Sequence, residues 1–216
     1  MFSIPEVKNQ FPFSLGTTSY IIPADIIPNV RILAPCIDDI ELILFESPDY
    51  SNIPSHEDIR TLRELAQNHQ ITYTVHLPID RKAAASDRLE RELFCDGVKK
   101  ILDRCNALNP AAWILHLEGI SCDSPLKEIS EWEKRCFETM ENIKNVFPCP
   151  QLIVIENLAY PWEWHRNIAT HYNTSLCCDV GHLWINFQDQ WKDHLKQMLH
   201  RTRVIHLHGT ANGKDH

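Results

Sequence analysis

Short aliphatic runs alternate with longer amphipathic stretches along nearly the whole chain. The runs at 13–18 (FSLGTT), 40–46 (IELILFE), 71–77 (ITYTVHL), 112–118 (AWILHLE), 152–156 (LIVIE), 175–179 (SLCCD) and 203–208 (RVIHLH) predict strands. Several are almost continuously apolar, as parallel strands covered on both faces must be. Between them, 24–37, 55–69, 86–108, 124–147, 161–172 and 186–202 carry a helical spacing of apolar positions. Ser55 and Ser86 stand before acidic first turns and read as N-caps.

Seven strand–helix repeats with no Gly-rich phosphate loop predict an α/β chain of the TIM-type (β/α) barrel class rather than an open dinucleotide-binding sheet. The 216 residues suit a single barrel domain over 1–216. An eight-stranded barrel typically takes about 250 residues, and here the pattern stops after seven units. The expectation is a C-terminally incomplete barrel lacking its eighth unit. Of the six glycines, Gly16, Gly119, Gly181 and Gly209 fall at strand exits, where backbone must turn closely around a site.

Composition narrows the function. The apolar share is 44%, and no apolar run reaches the roughly 18–20 residues of a spanning helix, so no membrane partner is expected. The opening MFSIPEVKNQ lacks the basic and apolar regions of a signal peptide, which predicts a cytoplasmic protein. A net charge of −8 without a basic stripe argues against a nucleic-acid partner. Eight cysteines without a C-x-x-C pair read as reduced, mostly buried thiols, with Cys177 and Cys178 packing a strand. No G-x-S-x-G elbow is present, so a serine hydrolase is not expected.

The twelve histidines separate into two sets. His56, His69, His165, His171, His194 and His200 fall in helical stretches and read as solvated or helix-terminal. His76, His116, His182, His206, His208 and His216 fall at or just beyond strand ends, joined by Glu46, Glu156 and Asp179, and by Asp215 after the last strand. In a barrel those ends open on one face, the face that carries active sites. Carboxylates and imidazoles converging there are costly unless a cation joins them. Imidazole with carboxylate suits zinc, manganese or iron.

The segments YTVHLP, WILHLEG, VIENLAY, CCDVGH and IHLHG…KDH resemble, in order, the metal-ligand segments of the xylose-isomerase-like barrels. That family includes endonuclease-IV-type apurinic endonucleases and sugar isomerases and epimerases. The resemblance implies one to three divalent ions, manganese or zinc. His76, His116 and Glu156 would hold one, with Glu156 bridging to a second. Asp179 and the strand-seven histidine would complete the second; this is His206, or His208 under an H-x-H alignment. His182, Asp215 and His216 would hold a third. Two departures stand out: KDH replaces a D-x-H spacing, and the glutamate of the eighth strand has no counterpart.

Residues 13–47, FSLGTTSYIIPADIIPNVRILAPCIDDIELILFES, resemble more narrowly the cobamide-remodelling phosphodiesterases of the same superfamily. That resemblance implies an adenosylated cobamide as the small-molecule substrate and hydrolysis of its nucleotide-loop phosphoester. Glu156, His182 and His216 would be the catalytic residues. The alternative is a single-metal sugar isomerase or epimerase. Tyr20, Trp162, Trp164 and Trp184 lie near strand exits, where they flank a flat ligand or pack the core.

Overall fold

The computed structural model describes residues 4–210. Their contacts divide into two compact units, one made of residues up to 80 with 100–113, the other of 81–99 with 114 onward. All paired strands within each unit run parallel, and strand order follows the sequence. No helix among the described residues is long and apolar enough to cross a membrane.

The first unit contains β1 (Gly16–Thr18), α1 (Ile26–Leu33), β2 (Asp39–Ile43), α2 (His56–His69) and β3 (Thr72–His76). Leu15, just before β1, and Asn9 donate backbone N–H groups to the Asp38 carboxylate, which ties the entry segment to the start of β2. The buried Asn29 side chain accepts from the Ile21 and Ile22 amides and donates to the Ala24 carbonyl. It satisfies the β1–α1 turn from within, as a buried polar loop requires. Prolines at 23 and 35 flank α1, which is shorter than the predicted 24–37. Ser55 caps α2 in a reciprocal capping box with Asp58, as expected.

Helix α3 (Arg88–Cys105) and strand β4 (Ala112–Leu115) run across the division between the units. The helix starts later than expected. Asp87, not Ser86, accepts the orphan amide of Leu89.

The second unit continues with α4 (Leu126–Ile143), β5 (Ile153–Glu156), α5 (Glu163–His171), β6 (Ser175–Asp179), α6 (Val180–Phe187), α7 (Trp191–Met198) and β7 (Thr202–His206). Helix α4 is strongly amphipathic and buries Trp132, Cys136, Met140 and Ile143. The Trp132 indole N–H is satisfied by the Leu117 carbonyl. Of the helix expected over 186–202, only Trp191–Met198 is α-helix (α7), and an unexpected helix, α6, precedes it. Asp179 starts α6 directly at the end of β6, and Gln188 in a positive-φ conformation ends it before α7. His182 therefore sits in the first turn of a helix, not in a strand-end loop.

Candidate metal centre

The site in the second unit is built on the C-terminal ends of β4, β5, β6 and β7. Each strand leaves its last inward residue polar after an apolar run, because the chain there emerges from the core. β5 ends in Glu156, 2% exposed, and β6 in Asp179, also 2% exposed. His116 follows β4, and His206 closes β7. Asp179 is paired in register with His206, and Glu156 with Cys177.

Glu156 is the hub. One carboxylate oxygen lies 3.1 Å from His116 Nε2, and the other 3.3 Å from His206 Nδ1. His116 Nδ1 is in turn 3.3 Å from Glu118. Burial opposes an imidazolium at His116, but Glu156 and Glu118 outweigh it and push His116 up to about 9. Burial likewise opposes charge on Glu156, yet His116 and His206 hold its carboxyl well below the usual range. At His206 too, the flanking Cys177 and Glu156 overcome burial and raise the pKa. His116 and His206 thus flank the two oxygens of one buried carboxylate.

Asp179 is the second focus. Its Oδ1 accepts the backbone N–H of His182 at 2.6 Å and caps α6. His208 Nε2 lies 3.0 and 3.1 Å from the two Asp179 oxygens. Asn157, fully buried, clamps the end of β5 to β6: it accepts from the Asp179 amide at 2.8 Å and donates to the Asp179 carbonyl at 3.0 Å. Its own carbonyl is 2.9 Å from His182 Nδ1. A carbonyl can only accept, so Nδ1 is the donor in this contact, which leaves Nε2 as the ring nitrogen available to a metal.

Within this unit two three-donor groups result, Glu156–Cys177–His206 and Asp179–His182–His208, each with its donor atoms within 4.8 Å of one another. Such spacings accommodate an ion bound at about 2.0–2.3 Å. The oxygen, nitrogen and sulfur donors fit a divalent transition metal. His206, 3.3 Å from Glu156 and 3.9 Å from Asp179, adjoins both carboxylates.

The structure brings together His116, Glu156, Asp179, His182, His206 and His208. Both His206 and His208 face the site, His206 adjoining Glu156 and Asp179 and His208 seated on Asp179. His76 ends β3 in the first unit, buried, its Nδ1 2.8 Å from the Leu77 carbonyl. Asp215 and His216 lie outside the described residues. Sequence reasoning passed over Asn157 and Glu118, although each stands one or two residues beyond a candidate ligand in VIENLAY and WILHLEG. It also placed Cys177 in strand packing alone.

Beside the site is a cleft of about 740 Å³, lined in part by Lys82, Glu118, Ser121, Tyr160, His182 and Asn186. Its wall at 82–86 is held by hydrogen bonds from Arg135 Nε and Thr139 Oγ1 to Ala84 and Ala83 carbonyls, and from the Ala84 amide to the Glu118 carbonyl. Gly119, at φ +118°, permits that approach: a Cβ there would collide with the Ala84 carbonyl group. Of the aromatics near strand exits, Trp162 is buried and its indole N–H is satisfied by Gln197, while Trp164 stacks on Tyr160. Trp184 is 58% exposed and stacks on Trp191; Tyr20 accepts from Asn52 in the first unit. Glu46, also in the first unit, pairs with Lys100.

Parallel strands alternating with helices, with imidazoles and carboxylates gathered at the strand ends, define a (β/α)-barrel chain with a candidate metal centre. The chain belongs to the family of xylose isomerase-like TIM barrels, which matches residues 37–216. Its fold is similar to a D-tagatose 3-epimerase-like protein (TM-score 0.71, 19% identity, covering 94% of this chain and 78% of that one). It is also similar to D-psicose 3-epimerase solved in the presence of D-fructose (TM-score 0.66, 16% identity, 89% and 72%). A third likeness is endonuclease IV from Thermus thermophilus (TM-score 0.64, 14% identity, 93% and 80%). No curated protein matches the sequence.

Proposed function

We propose that this protein is a metal-dependent phosphodiesterase that hydrolyses the nucleotide-loop phosphoester of adenosylated cobamides. The observation that carries the metal-hydrolase part is the pair of adjoining donor groups, Glu156–Cys177–His206 and Asp179–His182–His208. The two groups together offer two carboxylates, a thiol and three imidazoles, more donors than the usual four of one ion. Two ions side by side suit phosphoryl transfer, where attacking and leaving oxygens both need charge stabilised. The cobamide specificity rests on the resemblance of residues 13–47 alone.

Metal ions in this centre would supply Lewis acidity toward the phosphoryl group and acidify the attacking water. The chain's own residues do the rest. Glu156 stands between the two imidazoles His116 and His206 and orients both; Asp179 orients His208 and, through its cap, His182. His182 lines the cleft and would act there by holding the ion nearest the leaving oxygen. His76 enters the proposal on its sequence position alone, as do Asp215 and His216. Water adds across the P–O bond, leaving phosphate on the cobinamide and freeing an α-ribazole-type nucleoside. The net charge of −8 favours such a substrate over duplex DNA, whose binding needs clustered Lys and Arg.

A second reading, a single-metal ketose epimerase, is favoured by the fold's likeness to a sugar epimerase and to an epimerase-like protein. Incubation of the full-length protein with an adenosylated cobamide, with manganese or zinc added, tests both. Release of the nucleoside is expected. Conversion of D-tagatose or D-psicose to its C3 epimer, with the cobamide left intact, would overturn the hydrolase assignment.

A further inference from the structure

Cys177 lies two residues before Asp179 on β6, so both side chains face the same side of the strand, toward the site. Cys178 faces the other way. Register places Cys177 beside Glu156 on β5 and beside Val204, two residues before His206, on β7. Its sulfur is completely buried, and its donor atom lies within 4.8 Å of those of both Glu156 and His206. A carboxylate oxygen, an imidazole nitrogen and a sulfur thus lie close enough together to be shared by one ion.

We propose that Cys177 Sγ is a metal ligand, so that Glu156, Cys177 and His206 form a mixed O/S/N site selective for zinc over manganese or magnesium. This rests on the metal-centre reading above and adds a ligand to it. On binding, the Cys177 S–H bond breaks, a metal–sulfur bond forms, and the proton leaves to solvent. A thiolate is a soft donor that zinc accepts and that hard oxygen-seeking ions do not favour. The neighbouring Asp179–His182–His208 group has only oxygen and nitrogen donors and carries no such preference. The two groups therefore differ in metal preference within one centre.

Cobalt(II) as a spectroscopic stand-in for zinc separates the possibilities. The full-length protein, stripped of metal and titrated with Co²⁺, is expected to show the visible bands of a low-symmetry cobalt site together with a near-ultraviolet thiolate-to-cobalt charge-transfer band. The charge-transfer band should vanish in Cys177→Ser and in Cys177→Ala, and persist in Cys178→Ala. Zinc affinity should fall by about 10-fold or more in Cys177→Ser, with manganese affinity little changed. Visible bands without charge transfer in the unaltered protein would overturn the thiolate ligand while leaving the metal centre standing. A charge-transfer band unchanged in the Cys177 variants would assign it to another cysteine and equally overturn the proposal. No cobalt spectrum at all would overturn both readings. X-ray absorption of the zinc-loaded, unaltered protein needs no variant to fold: a sulfur shell at about 2.3 Å is expected, and its absence overturns the proposal.

Discussion

Gly181 lies directly against the imidazole of His208. A Cβ at residue 181 would stand 2.6 Å from His208 Nδ1 and still closer to Cε1 and Nε2. That glycine lets the β7 exit fold over the start of α6 and seat His208 on both oxygens of Asp179. Because the clashing atoms are the end of a side chain, Gly181→Ala is expected to displace His208 rather than unfold the unit. Metal affinity should drop by about 10-fold while the thermal midpoint moves little. Equilibrium metal binding and thermal denaturation, run on the same variant, check both halves.

Glu156→Gln keeps the volume of the side chain and removes the charge between His116 and His206. Their imidazoles should then shed their protons, so the variant should remain folded. Metal content per chain should fall, with a loss of activity of roughly 100-fold. Elemental analysis and turnover, compared with a circular dichroism spectrum, distinguish this from misfolding. Unaltered metal content would show that Glu156 is an ion-pair partner only.

Asn157→Ala should leave the buried Asp179 amide without its acceptor and loosen the clamp between β5 and β6. The expected loss is about 1–3 kcal/mol of stability, the cost of stranding a buried donor. Chemical denaturation measures it. Activity should suffer as well, because Asp179 loses its brace, while His182 keeps its contact with the backbone carbonyl of residue 157.

His165 is fully buried, with no hydrogen-bond partner for either ring nitrogen among the described residues, and burial pushes it down to about 3. An unfolded histidine titrates near 6.5. Above about pH 6.5 the ring is neutral in both states and its contribution is complete. Below that pH only the unfolded chain takes up the proton, so stability falls as pH falls, until the folded ring titrates near 3. His165→Phe retains a ring against Tyr160 and Trp162 and should flatten this dependence. Denaturant midpoints between about pH 6.5 and 4 should show the unaltered protein losing up to about 1.4 kcal/mol per pH unit more than the variant. Equal slopes would mean that water reaches the ring.

What the sequence determined by itself was local. A run such as LIVIE, short, β-branched and preceded by Pro150, reads as a buried strand, and a carboxylate closing it must lie where the strand leaves the core. Glu156 and Asp179 were therefore legible as strand-end groups, and so were His116 and His206. The family resemblance followed from the same ordered segments. Tertiary structure decided what those groups touch. Register shifts by one residue between Leu176 and Cys177, so that Cys177 pairs with Val204 and Asp179 with His206. Without that irregularity the parity of β7 would change and turn His206 to the other face. No periodicity in RVIHLH reveals it. His165 shows the same limit from the opposite side. It reads as a solvated helical histidine, yet the packing of α5 buries it completely, because helical spacing reports a face but not what covers that face. Asn157 and Cys177 acquire their roles only through partners about twenty or more residues away on neighbouring strands. Such contacts depend on strand pairing, which is a property of the folded chain and not of any local pattern within it.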